Sequence, residues 1–162
     1  MNGPGRAPSH SAVEQNVYKI FPNDLNAEQT VFGGLVMGLC DRTALIVAER
    51  HSGSTCVTAA VDSLNFLSPA RTGETLLVKA SVNRAWHTSM EIGVRVVAEN
   101  SRNGEVRHVV SAYLTFVGLD DTGRPTAVPD VLPETEEEKR RYRAAQVRRD
   151  ARLRTRGSLE RL

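Results

Sequence analysis

Residues 34–50 read GLVMGLCDRTALIVAER, a run of good helix formers with apolar side chains at Leu35, Leu39, Cys40, Ile46 and Val47. That spacing predicts a helix of about four to five turns. Its end is marked by His51-Ser52-Gly53-Ser54, where Gly53 suits the left-handed cap position. Four long strand-like segments follow, at residues 56–66, 74–85, 89–100 and 106–117. They are separated by Ser68-Pro69-Ala70-Arg71-Thr72-Gly73, by Trp86-His87-Thr88 and by Arg102-Asn103-Gly104, the last holding an Asn-Gly hairpin signal. Links this short predict antiparallel neighbours. Upstream, residues 16–21 form a shorter candidate strand that Pro22-Asn23-Asp24 stops. One long helix among strands longer than usual predicts an α+β fold, in which a curved antiparallel sheet of about five strands wraps the helix.

The chain has 162 residues, 40% hydrophobic and 25% charged, enough for one domain with a sizeable core. No apolar run reaches the roughly 18 residues of a membrane span. Residues 1–15 lack the apolar segment of a secretory signal. They are expected to form a flexible leader, followed by a domain at 16–128 and a charged helical extension at 129–162. Cys40 and Cys56 are the only cysteines, too few for a disulfide framework or a zinc site, so a reducing cytoplasm is the expected compartment. Charge concentrates at the end: residues 134–162 carry ten Lys/Arg and six Asp/Glu, and the rest of the chain is net −2. Pro133-Glu134 opens a final helix that runs to about Arg156. Acids begin it and no aromatic series interleaves its arginines, so it reads as a solvated helix rather than a nucleic-acid or membrane arm.

The first helix holds an anomaly. Asp41 and Arg42 are its only charges between Leu35 and Ala48, and at about 100° per residue Asp41 falls near Met37, Ala44, Leu45 and Ala48, an otherwise apolar face. A carboxylate there has to be solvated, paired, bonded to backbone or used in chemistry. Phe32-Gly33-Gly34 stands where the chain enters the helix, so first-turn N–H groups are unpaired and partly positive. Glycines let a ligand come close to the main chain, and such a helix start can hold a carboxylate, a phosphate or a thioester carbonyl oxygen. Asn26, in the loop just before, adds a neutral side chain able to orient a water.

The string NAEQTVFGGLVMGLCD, from Asn26 to Asp41, resembles the helix-opening motif of hotdog-fold acyl-CoA thioesterases, of the YciA-like and brain acyl-CoA hydrolase type. Val61-Asp62-Ser63-Leu64-Asn65-Phe66, Thr88-Ser89-Met90-Glu91-Ile92 and Ala112-Tyr113-Leu114-Thr115-Phe116-Val117 continue the likeness in order. It extends over residues 16–156. The resemblance implies a hotdog fold, two subunits forming a dimer, assembly of three dimers, and hydrolysis of acyl-CoA at the dimer interface. It implies Asp41 as general base or nucleophile and Asn26 of the other subunit as the residue that positions water. The N–H of Gly34, with Gly33, would polarise the thioester carbonyl. Coenzyme A is part of the substrate, and neither a metal nor a separate cofactor is implied. One residue departs from the pattern: Gln29 stands where the family commonly has Gly, which matters if that position needs a positive φ.

For coenzyme A, the resemblance places Trp86, His87, Thr88, Ser89 and Met90 against pantetheine and nucleotide. Arg71 and Arg84 are candidates for phosphate pairing, since a guanidinium matches phosphate geometry. Phe32 and Phe66 are expected to border the bound substrate, and the acyl chain to run along Met37, Leu64 and Phe66. A rival reading keeps the fold and makes the chain a non-catalytic acyl-CoA sensor or carrier. A hotdog dehydratase fits less well, because Phe32 rather than His precedes Gly33-Gly34.

Overall fold

The computed structural model describes residues 4–161. Helix α1 spans Gly33–Ser52, and the strands are β1 Val13–Lys19, β2 Thr55–Phe66, β3 Thr75–Ala85, β4 Ser89–Asn100 and β5 Glu105–Leu119; helix α2 covers Glu136–Leu159. The strands form one antiparallel sheet in the order β1-β3-β4-β5-β2. Alternation decides which face is which. Every second residue from Leu76 to Val82, from Met90 to Ala98 and from Val110 to Phe116 is buried, as a period-two strand requires. Against that face α1 lays Val36, Cys40, Ala44, Val47 and Ala48, and each large side chain so buried contributes about 1.5–3 kcal/mol. This is the helix-wrapping sheet of the hotdog architecture. Gly53 ends α1 at φ 72°, its N–H donating to the Glu49 carbonyl.

Three expectations need correction. The link at residues 68–73 does not join neighbouring strands: β2 pairs with β5, while β3 pairs with β1 and β4. The link is instead held by the loop before α1 and by β5, with Val31 N–H donating to Ala70 O and Leu67 N–H to Val109 O. The segment expected to be a loose leader is packed from Arg6 onward. Arg6 donates to the carbonyls of Arg50 and His51, which a helix end leaves without partners, and its backbone pairs with Asp130 and Leu132. Strand β1 accordingly starts at Val13 and ends at Lys19, before the predicted Phe21.

The third correction concerns α2. It begins with a capping box between Thr135 and Glu138 and lies across the sheet face opposite α1. Only Ala145 is buried along its length, yet three of its arginines turn toward the sheet. Arg148 pairs with Glu91 at 2.7 Å and Arg152 with Asp62 at 2.5 Å. Arg149 stacks over Trp86, and Tyr142 over Arg84. A polar sheet face meeting a basic helix explains the packing, so the expected solvation holds only for the outward half. Among the described residues no helix is long and apolar enough to cross a membrane.

Candidate active site

The loop before α1 is a tight turn built on Asn26. Its N–H donates to Thr30 O at 2.8 Å, and the Gln29 N–H donates back to Asn26 O at 3.1 Å. The Asn26 Oδ1 accepts from the N–H groups of Glu28 and Thr30 at 2.9 and 3.2 Å, and Nδ2 donates to Thr30 Oγ1 at 3.0 Å. Gln29 sits at φ 58°. The left-handed position that the departure from glycine called into question is therefore real, and the turn still closes. Asn26 needs only one of its two amide hydrogens for this network.

From this turn the chain passes into α1 through Phe32, whose N–H donates to Asp24 O at 2.8 Å and whose side chain caps nothing. Among the described residues, the N–H groups of Gly33 and Gly34 find no acceptor. The Phe32 ring lies against Gly34: a Cβ there would stand 2.5 Å from a ring carbon, so a larger residue would make the exposed ring move aside. At Gly33 the Phe66 ring would lie 3.4 Å away. A groove of about 440 Å³ opens beside these groups, lined by Asn26, Thr30, Gly33, Phe66, Leu67 and Pro69 among others. Gly33 with its free N–H, the Asn26 amide and the half-exposed Phe66 ring thus border one opening, with Gly34 and Phe32 next in the chain.

Asp41 lies elsewhere on the helix. Eight residues beyond Gly33, it is about 12 Å further along the axis, half-buried on the side facing β2. Its Oδ1 accepts from Thr58 Oγ1 at 2.6 Å. Thr58 is the site residue that sequence reasoning missed, because only the packing of β2 beside α1 shows which hydroxyl meets the carboxylate. The neighbouring Cys40 is fully buried, and burial, with the Asp41 charge, pushes its thiol up to about 12.

The residues expected to bind coenzyme A fall into three groups. Arg71 is exposed, forms no ion pair among the described residues, and pairs through its backbone with Thr30 beside the Asn26 turn. Its turn is held by Glu74, which accepts from the Arg71 N–H and from Arg107. Burial pushes the Glu74 carboxyl up, but these bonds outweigh it and hold it below its usual value. Arg84, Trp86 and Ser89 lie under α2, where Trp86 Nε1 donates to Gln146 and Ser89 Oγ accepts from Arg149. His87 is exposed and Thr88 half-buried at the same turn. Met90 is a correction: it is wholly buried in the core, where its alternation with Ile92 places it, and its role is packing.

A helix-wrapping antiparallel sheet with free N–H groups at the helix start and a carboxylate two turns on defines a hotdog-type protein. Residues 28–105 match the family model described as Thioesterase superfamily. The chain is 41% identical over 120 residues to the uncharacterized acyl-CoA thioester hydrolase YkhA of Bacillus subtilis, covering 74% of this chain and 70% of that one. An acyl-CoA hydrolase of Staphylococcus aureus, solved with butyryl coenzyme A, coenzyme A and coenzyme A disulfide, superposes with TM-score 0.91 at 37% identity, over 98% of this chain and 96% of that one. Variants of that hydrolase with one aspartate, one asparagine or one threonine changed to alanine have also been solved. Those three residues are spaced as Asp41, Asn26 and Thr58 are here. A hexameric acyl-CoA thioesterase superposes with TM-score 0.91 at 36% identity, over 94% of this chain and 97% of that one. The chain belongs to the thioesterase superfamily, among its hotdog-fold acyl-CoA thioester hydrolases.

Proposed function

We propose that the protein hydrolyses acyl-CoA thioesters to free fatty acid and coenzyme A, in a site shared between two copies of the chain. The observation that carries this is the pair of unpaired N–H groups at Gly33 and Gly34 beside the Asn26 turn, with Asp41 held ready by Thr58. The thioester carbonyl oxygen accepts from the Gly34 N–H, with Gly33 assisting, so that charge developing on it meets preorganised donors. Asn26 uses its free amide hydrogen to orient a water, and Asp41 removes that water's proton as it attacks the carbonyl carbon. The thiolate of coenzyme A leaves. In the alternative course the Asp41 carboxylate attacks first and water releases the acyl group from it.

Base and oxyanion donors must both lie within hydrogen-bond reach of the reacting atoms. Within one chain they are about 12 Å apart along α1, so Asp41 of one subunit serves the Asn26 turn of the other. Self-association has a surface to use. Strand β2 is an edge of the sheet, long and lined by exposed Val57, Val61 and Phe66, with Met37 and Ile46 of α1 beside it. An apolar open edge of that kind pairs readily with a second copy. Three such dimers form the working hexamer, in keeping with the hexameric neighbour. Arg71 serves the phosphates of coenzyme A, and Phe32 and Phe66 border the acyl chain. His87, Thr88 and Ser89 meet pantetheine, and the compartment is the cytoplasm.

The test is free-thiol release from acetyl- to palmitoyl-CoA by the wild type and by Asp41→Ala. Turnover by the wild type, lost in the variant with folding retained, supports the reading. An active Asp41→Ala protein sinks it. The sensor or carrier reading, motivated by Gln29 and the basic tail, predicts tight acyl-CoA binding without thiol release, so steady turnover excludes it.

A further inference from the structure

Strand β2 serves both faces of the sheet. Thr58 points toward α1 and donates to Asp41, whereas Asp62, four residues on, bonds to the opposite face. Simple alternation would put both on one side. The first of two irregularities makes the change: the pairing of β2 with β5 shifts between Thr58 and Ala60, which inverts the alternation once before Asp62, and a second shift, between Val61 and Ser63, falls at Asp62 itself. Bulges at sheet edges re-aim side chains in this way. The second leaves Asp62 outside the ladder, so its position depends on what its side chain holds.

That hold comes from α2. Asp62 Oδ2 accepts from Thr115 Oγ1 at 2.8 Å, and Oδ1 accepts from the Arg152 guanidinium at 2.5 Å. The Asp62 side chain is only 6% exposed, and a carboxylate so buried is costly without its cation. No rung of the ladder with β5 holds Asp62, so the grip of Arg152 from the α2 face is what fixes this residue whether or not the β2 edge is paired.

We propose that Arg152 is a positioning residue for thioester hydrolysis: by gripping the Asp62 bulge from the outer face, it sets where Thr58 meets Asp41 on the inner face. The proposal rests on the hydrolase reading, with Asp41 as the reacting carboxylate. No atom of α2 bonds to Asp41. Arg152 alone among the α2 residues reaches the Asp62 bulge.

The experiment is thiol release by the full chain carrying Arg152→Ala, Arg152→Lys, Thr58→Val, or Arg152→Ala with Thr58→Val. Misplacement of a reacting group by an ångström is expected to lower kcat about ten- to hundredfold, with KM changed less than about twofold. Lysine should restore most of the loss. In the Thr58→Val background Arg152→Ala should cost nothing further, because both changes act on one hydrogen bond. Arg156→Ala, whose partner Glu160 is exposed on the same helix, should leave kcat as it is. If Arg152→Ala does not fold, Asp62→Asn gives the same readout with the side-chain shape kept. Unchanged kcat in Arg152→Ala, losses that add to Thr58→Val, or failure of lysine to rescue would overturn the proposal. A wild type without turnover overturns the hydrolase reading itself, and so separates the two failures.

Discussion

Gln29 occupies a backbone angle, φ 58°, that costs a residue with a Cβ roughly 1–2 kcal/mol. Gln29→Gly removes that strain and returns part of the gain as freedom of the unfolded chain. Urea unfolding should show a net stabilisation of about 0.5–1 kcal/mol, with turnover unaltered because the Gln29 side chain makes no bond in the Asn26 turn. His51 behaves differently. It is fully buried, its Nε2 lies 3.0 Å from Pro129 O and must donate there, and its Nδ1 has no partner among the described residues. Burial lowers its pKa; the Pro129 bond opposes this, while the nearby Arg6 and His10 reinforce it. The unfolded chain therefore takes up a proton before the folded one does. Stability is complete above the ordinary histidine value of 6.5 and declines as pH falls below it. His51→Gln, which can still donate to Pro129, should flatten the fall in urea midpoint between neutral and mildly acidic pH.

At the scale of elements, period and capping explain where most segments lie. The stop of α1 at Gly53 was legible because a left-handed cap needs glycine, and φ 72° is what the structure has. Strand β4 was legible at both ends, since turn residues bracket it. Helix α2 starts at Glu136, later than Pro133-Glu134 suggested, because Thr135 supplies the side-chain acceptor for the Glu138 N–H at 3.2 Å. Thr135→Ala should cost about 1 kcal/mol, seen as a lower unfolding midpoint. It should leave kcat unchanged, since Arg152 lies more than four turns from the cap. The bulges of β2 were not legible. They answer to the residues opposite on β5 and to α2, neither of which a strand's own pattern contains.

The whole molecule determines what the site can do. Asn26 and Asp41 lie close in sequence, yet the rigid helix keeps them apart in one chain, and the β2 edge is open. The shared site proposed above has a distinctive consequence. Chains carrying Asn26→Ala and chains carrying Asp41→Ala, each inactive alone, should regain thiol release when unfolded and refolded together, because mixed pairs contain one intact site. No recovery, with mixed pairs shown by mass spectrometry, would mean that each chain completes its own site. Cys40 offers a check on integrity throughout, since a thiol raised to about 12 and buried beside Asp41 stays unreactive at neutral pH until the core opens.

Local chemistry determined much of this protein from sequence alone. Helical period marked α1, alternation marked the long strands, and the glycines after Phe32 marked a helix start open to a ligand, because each depends on residues within a few positions of one another. Asp41 stood out for the same reason, as a charge on an apolar stripe. Tertiary structure alone decided that Thr58 would hold that carboxylate, that Met90 would be core, and that Arg84 and Trp86 would lie beneath α2. It also decided that Arg148, Arg149 and Arg152 of α2 would face the sheet. Each of these is a contact between segments distant in the chain, and the partner of a polar side chain is settled by which faces the packed sheet brings together.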